Sequence, residues 1–319
     1  MMRPWRHKKE GIVPKDVYLQ PGAPDPVLEA ATVLALARRH LPEARAVRVV
    51  DETGGEARIY AVDDHLIVKT QRPHRLRERT SQAKEVFFLE QLAQFPNIPV
   101  PRVLGYGKDG GIEYTCLTRM PGIAVRRATL VGAARETLLH DLGRVLRRIH
   151  AIPQATILAS GLFPGDRSPD DLWSRLAEAF DDAVVAVRSA GGAWGLAQSP
   201  EEVARRALAA LPASEVRVAL HSNPAPEHTF VDPDTNAYTG TIDLGDAYIS
   251  HPALDLRRWR NPADREALFA GYIADGPVDE EFVAVWRVAQ GLMNMTVIAT
   301  APEYRTAAQA HLARLLGQW

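Results

Sequence analysis

The chain has 319 residues, 46% hydrophobic and 24% charged, with a formal net charge of −1. That length permits a large core in one domain or two lobes, and the charge balance excludes a strongly basic nucleic-acid binder or polybasic membrane anchor. The single cysteine, Cys116, excludes an internal disulfide, fits a reducing compartment and, in the apolar run YTCLTRM, reads as a buried core thiol.

Residues 1–25, opening MMRPWRHKKEGIVPKD, are basic but lack the apolar core and small-residue cleavage site of a signal peptide. They read as an N-terminal tail. No later run reads as long and apolar enough to span a bilayer, so the expectation is a cytoplasmic protein without a membrane partner. PDPVLEAATVLALARRHLP has apolar residues at helical spacing, with Pro26 near its start. Val47 to Val50, Arg58 to Val62 and Leu66 to Thr70 predict three strands, punctuated by Gly54-Gly55 and Asp63-Asp64. RTSQAKEVFFLEQLAQF predicts an amphipathic helix capped by Thr80 or Ser81. Two short strands follow, around Pro101 to Tyr106 and Glu113 to Thr118, before RMPG breaks the pattern.

From about Leu130 the pattern is helical. LLHDLGRVLRRIHAI places Leu139, Leu142, Leu146 and Ile149 on one face. DDLWSRLAEAFDDAVVAV, SPEEVARRALAAL, EEFVAVWRVAQGLMNMTVIA and YRTAAQAHLARLLG continue the series. One polar segment, VRVALHSNPAPEHTFVDPDTNAYTGTIDLGD, interrupts it as strand, loop, strand, turn and strand. This order predicts a bilobal α+β architecture with a cleft between the lobes. The expected lobes are residues 26–120, a small antiparallel sheet with one helix, and 121–319, larger and mainly helical.

Phosphoryl transfer from a nucleotide requires a cation for the phosphates, metal ligands and a group that orients the attacking hydroxyl. Lys69 ends the strand DHLIVKT and Glu85 in the next helix is placed to pair with it. Gly54 and Gly55 lie where a turn would cover phosphates, although most Gly-Gly pairs are ordinary turns. Asp243 follows the strand TGTI and precedes Gly245, which displays a hard oxygen ligand suited to Mg²⁺.

At these residues the sequence resembles the aminoglycoside phosphotransferase family, small-molecule kinases with a protein-kinase-like fold. The family carries H-G-D-x-x-x-x-N, then roughly twenty residues later I-D-[WFL]-G-D-A and D-P-x-x-D-L. This chain has HSNPAPEH, IDLGDA and HPALDL, with Asp243 twenty-two positions after His221 (243 − 221 = 22). LGRVLRRIHAIP, RMPG and PVPRVLGYG add to the likeness, which runs from about residue 45 to 260. The resemblance implies that Lys69 and Glu85 form the phosphate-contacting ion pair and that the backbone around Thr118 to Met120 holds the purine. It makes Asp243 the chief metal ligand and puts His228 in the asparagine slot, as in enzymes resembling the 2″-phosphotransferases, whose loop ends in histidine. Imidazole is softer than the ligands Mg²⁺ selects, so His228 would bind metal weakly, through water, or only cap the loop. His221 reads as a loop scaffold, His150 as a core histidine, and Asp246 and Asp255 as holders of turns and helix starts.

One position departs from the family. Asn223 stands where the catalytic aspartate is expected, and an amide can neither accept a proton nor bring negative charge. Three explanations stand at this stage: an engineered substitution in an active kinase, a natural nucleotide-binding pseudokinase, or replacement of the base by Glu227 or His228. The expected activity is transfer of the γ-phosphoryl group of ATP or GTP, with Mg²⁺, to a hydroxyl of a small molecule. The acceptor implied is an aminoglycoside-like antibiotic, and antibiotic resistance the role; macrolides, choline and homoserine are the other substrates the resemblance admits. Asp170, Asp171, Asp181 and Asp182 would line a pocket for a cationic acceptor. The expected form is a monomer or weak dimer with no nucleic-acid partner.

Overall fold

The structure, a computed structural model, describes residues 27–51, 56–72, 81–109 and 111–319. The N-terminal tail, Gly54, Gly55 and Thr80 lie outside the described residues. The chain divides into two compact units, Met1–Gln91 with Pro101–Arg119, and Leu92–Val100 with Met120–Trp319.

The first unit holds α1 (Ala30–Arg38), β1 (Val47–Asp51), β2 (Ala57–Val62), β3 (Leu66–Gln71), α2 (Gln82–Leu92, shared with the second unit at its last residue), β4 (Val103–Asp109) and β5 (Ile112–Thr118). Its strands form one antiparallel sheet in the order β1-β2-β3-β5-β4. Alternation along the strands decides which residues meet which helix. Tyr60, Val62, Leu66, Val68, Tyr114 and Cys116 pack with Val33, Leu36 and Ala37 of α1. Cys116 is fully buried there, and burial pushes its thiol up to about 11. Lys69 and its cross-strand partner Thr115 fall on the opposite face, where Thr115 donates to Gln82 Oε1 of α2 at 2.6 Å. Ser81 caps α2, its Oγ accepting from Lys84 N at 3.3 Å.

The second unit begins with β6 (Ile123–Ala124), α3 (Gly132–Ala151), α4 (Ala155–Ala159), α5 (Pro169–Ser189) and α6 (Pro200–Ala209). The polar segment gives β7 (Val218–Ala219), β8 (Thr229–Val231), β9 (Tyr238–Thr241) and β10 (Ile249–Ser250). A 3₁₀ turn, Pro252–Arg257, leads into α7 (Pro262–Ile273), α8 (Glu280–Thr300) and α9 (Arg305–Leu316). The sequence reading missed α4, α7, β6 and β10. β6 and β10 are two residues long, too short for any periodicity, and pair with β8 and β7. α7 did carry a signal: Asn261 before Pro262, its side chain capping Ala263 N at 3.1 Å.

α7 packs on α3 with almost no space between their backbones. A Cβ added at Gly143 would lie 2.1 Å from Leu268 O, and one at Gly271 2.0 Å from His140 O. α8 corrects one expectation. By length and composition it is apolar enough to cross a bilayer, but 67% of its apolar window is buried, the environment of a core helix. Gly271→Ala should therefore lower the stability of the second unit by about 1–3 kcal/mol, read as a drop in thermal midpoint, because neither backbone has room to withdraw.

Candidate active site

In the first unit, β3 delivers Lys69 and the first turn of α2 delivers Glu85. Lys69 Nζ lies 2.7 Å from Glu85 Oε2, with side chains 10% and 2% exposed. A pair this buried is a committed geometry, since either charge alone would be left desolvated. At the end of the same sheet, Thr118 donates its N–H to Arg102 O at 2.9 Å and accepts from Arg102 N through Oγ1 at 2.8 Å. Arg119 N–H is taken by His65 O at 2.7 Å. Thr118 therefore has no N–H to offer a base edge.

In the second unit the loop between β7 and β8 carries His221, Ser222, Asn223 and His228, and the turn after β9 carries Asp243. Asn223 O accepts from Ala225 N at 2.8 Å and faces His228 Nδ1 at 2.9 Å. A carbonyl only accepts, so Nδ1 carries the hydrogen and the lone pair of Nε2 is left for the other side. There Asp243 Oδ2 stands 3.3 Å away. Two acceptors aimed at a common point call for a proton or a cation between them. Asp243 and Ser222 both have left-handed backbones, φ 67 and 75. Ser222 occupies the place of the glycine in the family's loop pattern, so the loop keeps that conformation at the cost of a strained serine. Glu227 is exposed, and Asn223 is half-buried.

His221 is a scaffold residue with a defined tautomer. Thr241 Oγ1 donates to His228 O at 2.9 Å, so it must receive the hydrogen of His221 Nε2 at 2.8 Å. Nδ1 is then the acceptor that faces Asn223 N at 3.4 Å. Burial holds the ring neutral by lowering its pKa.

Asp255 does more than the turn-holding expected of it. Its fully buried carboxylate accepts from His221 N and Ser222 N, both at 2.8 Å, and faces His150 Nε2 at 3.0 Å. His150 is thus a core histidine with a second task, since its other nitrogen reaches Tyr272 OH at 3.0 Å on α7. Burial alone would raise the Asp255 carboxyl, but the His150 contact and the loop amides outweigh it and hold the carboxyl below its usual range. No local pattern joins residues 150, 221 and 255, so sequence reasoning could not find this link.

The acids expected to line a cationic pocket are all exposed on α5. Asp171 completes the capping box of that helix with Ser168. Asp181 and Asp182 are adjacent, and partial desolvation together with the charge of Asp182 raises the exposed Asp181 carboxyl. The buried acid of this region is one the sequence reading passed over, Asp166. It is held by Arg175 Nε at 2.6 Å and by a short hydrogen bond from Ser250 Oγ.

The profile of the phosphotransferase enzyme family (APH) matches residues 46–286. The chain belongs to that family. Among solved structures, the GDP complex of wild-type aminoglycoside 2'-phosphotransferase-IIIa aligns with TM-score 0.59 at 15% identity, covering 91% of this chain and 99% of that one. The macrolide 2'-phosphotransferase MphH from Brachybacterium faecium, as apoenzyme, gives 0.55 at 21% identity, covering 88% and 97%. A streptomycin–ATP ternary complex of APH(2")-IIa gives 0.56 at 14%, covering 92% and 97%. No curated protein sequence matches the chain. These likenesses establish the expected protein-kinase-like fold, and family membership makes the chain a nucleotide-dependent small-molecule phosphotransferase by class.

Asp255→Ala should cost about 3–5 kcal/mol at pH 7, measured by denaturant unfolding, because two loop amides and His150 lose their partner. Acidification should weaken the wild type in two stages. His221, and His251, which burial lowers to about 3, have folded values below the unfolded ~6.5, so their contribution falls away as pH drops below about 6.5. The Asp255 contribution, from a depressed carboxylate, is lost only below about pH 3.9.

Proposed function

We propose that this protein transfers the γ-phosphoryl group of ATP or GTP to a hydroxyl of a small molecule, with Lys69, Asp243 and His228 on the phosphates and their metal. The observation that carries the reading is the His228–Asp243 pair, with Nδ1 already spent on Asn223 O and Nε2 turned to the carboxylate at 3.3 Å. Among the described residues no group of three or more His, Cys, Asp or Glu side chains gathers as a metal cage. A pair with one hard carboxylate oxygen fits Mg²⁺ of the kind that completes its shell from nucleotide phosphates and water. Asp243 would be its chief ligand and His228 the second, direct or through water. When bound, the ion neutralises charge on the phosphates.

The residues of the chain do the positioning. Lys69, fixed by Glu85, would contact the phosphates, and the backbone at Thr118 to Met120 would hold the purine through groups other than the Thr118 and Arg119 N–H. The acceptor oxygen bonds to the γ-phosphorus as the bond to the nucleoside diphosphate breaks. Asn223, whose N–H and C=O are held by the loop, would hydrogen-bond the acceptor hydroxyl without taking its proton, which passes to water. The lost base is a rate defect and leaves the binding parts intact. The neighbours' aminoglycosides and macrolide name the first acceptors to try.

Asn223→Asp should raise nucleotide consumption with a competent acceptor by about 10²–10⁴. An unchanged rate in every acceptor would instead favour a binding protein that works through a partner. Lys69→Ala and Asp243→Ala should each weaken Mg·nucleotide binding at least tenfold in a calorimetric titration. If both bind as the wild type does, the site assignment fails.

A further inference from the structure

Arg257 closes the 3₁₀ turn that carries Asp255. Its side chain is half-buried, and its Nη1 is shut off from solvent with no hydrogen-bond partner. Around it stand more cations. Arg258 donates through Nε to Ser222 O at 2.5 Å, on the residue before Asn223. Arg175 lies 4.7 Å over the ring of Tyr248, whose backbone O accepts from Leu220 N at 2.9 Å. Both contacts tie the cluster to the loop that holds Asn223.

The charge of Asp255 offsets only part of this positive charge, because the local carboxylates have other partners. Asp166 is filled by Arg175 and Ser250, and Asp255 by the loop amides and His150. Burial first, then the charge of Arg258, bring Arg257 down to about 10, the direction of a cation short of a counter-charge. A desolvated guanidinium N–H without an acceptor is costly, and proteins normally pair it. Asn223 adds to the contrast, since the amide removes the negative charge that an aspartate would present to an incoming anion. The acids of α5 offer no rival site: Asp171 is spent on its cap, and Asp181 and Asp182 are exposed.

We propose that the acceptor carries an oxyanion, a carboxylate or a phosphate, beside its reactive hydroxyl, and that Arg257 binds it with Arg258 alongside. This rests on the phosphotransferase reading and names its substrate class. The guanidinium presents parallel donors that match either oxyanion.

The test uses the full chain with Mg²⁺ and a non-hydrolysable ATP or GTP analogue in place, and titrates inorganic phosphate. The wild type should bind it, Arg257→Gln should bind at least tenfold more weakly, and Arg257→Lys should fall between. Equal binding by Arg257→Gln, or none by the wild type, overturns the proposal. Should Arg257→Gln not fold, phosphate must slow modification of wild-type Arg257 by phenylglyoxal, followed by mass spectrometry; no slowing overturns it equally. Nucleotide consumption with glycerol, glycerate, glycerol phosphate and kanamycin then separates the sources. A lower KM for glycerate than for glycerol assigns a carboxylate, and for glycerol phosphate a phosphate. Faster consumption with kanamycin than with both anions overturns the oxyanion inference and leaves the phosphotransferase reading standing. Failure to bind either nucleotide overturns that reading instead.

Discussion

The second unit is organised around one buried charge. Asp255 has no exposed surface, and a carboxylate in that position is tolerable only if its oxygens are fully engaged. Its partners are the amides of His221 and Ser222 and the ring of His150, so the condition that keeps the charge stable also fixes the loop. His150 in turn is steadied by Tyr272, and the α3–α7 contact through Gly143 and Gly271 sets where both residues stand. Helix packing, a core histidine and a peptide of the β7–β8 loop are thereby one mechanical system.

That system explains how the side chain at position 223 can differ without changing the shape of the loop. Asn223 is held through main-chain atoms, its carbonyl by Ala225 N and His228, its N–H by His221. None of these bonds involves the side-chain atom that distinguishes asparagine from aspartate. The strained φ of Ser222 is paid by the same two amide bonds to Asp255. The chemistry at position 223 is therefore separable from the architecture around it, and so is the electrostatic character of the acceptor side, where Arg257 and Arg258 leave an excess of positive charge.

Most of the fold was legible because its signals are local. The strand from Leu66 to Thr70 put Lys69 near its end with Glu85 in the next helix, and the spacing of Leu139, Leu142, Leu146 and Ile149 marked the buried face of α3. The misses have physical causes. Two-residue strands such as β6 and β10 owe their existence to their partners. The apolar length of α8 did not distinguish a core helix from a membrane span, because both exclude water.

By itself the sequence determined the element order, the Lys69–Glu85 pairing, the loop with Asn223 at its centre and the motif that names the family. These are written in adjacent residues and fixed spacings. Only the tertiary structure decided that Asp255 grips the loop through the His221 and Ser222 amides and is itself held by His150, that the α5 acids face solvent, and that Arg257 Nη1 is buried beside other cations without an acceptor. Burial and pairing over seventy or a hundred residues of chain are properties of the packed molecule, and no local pattern encodes them.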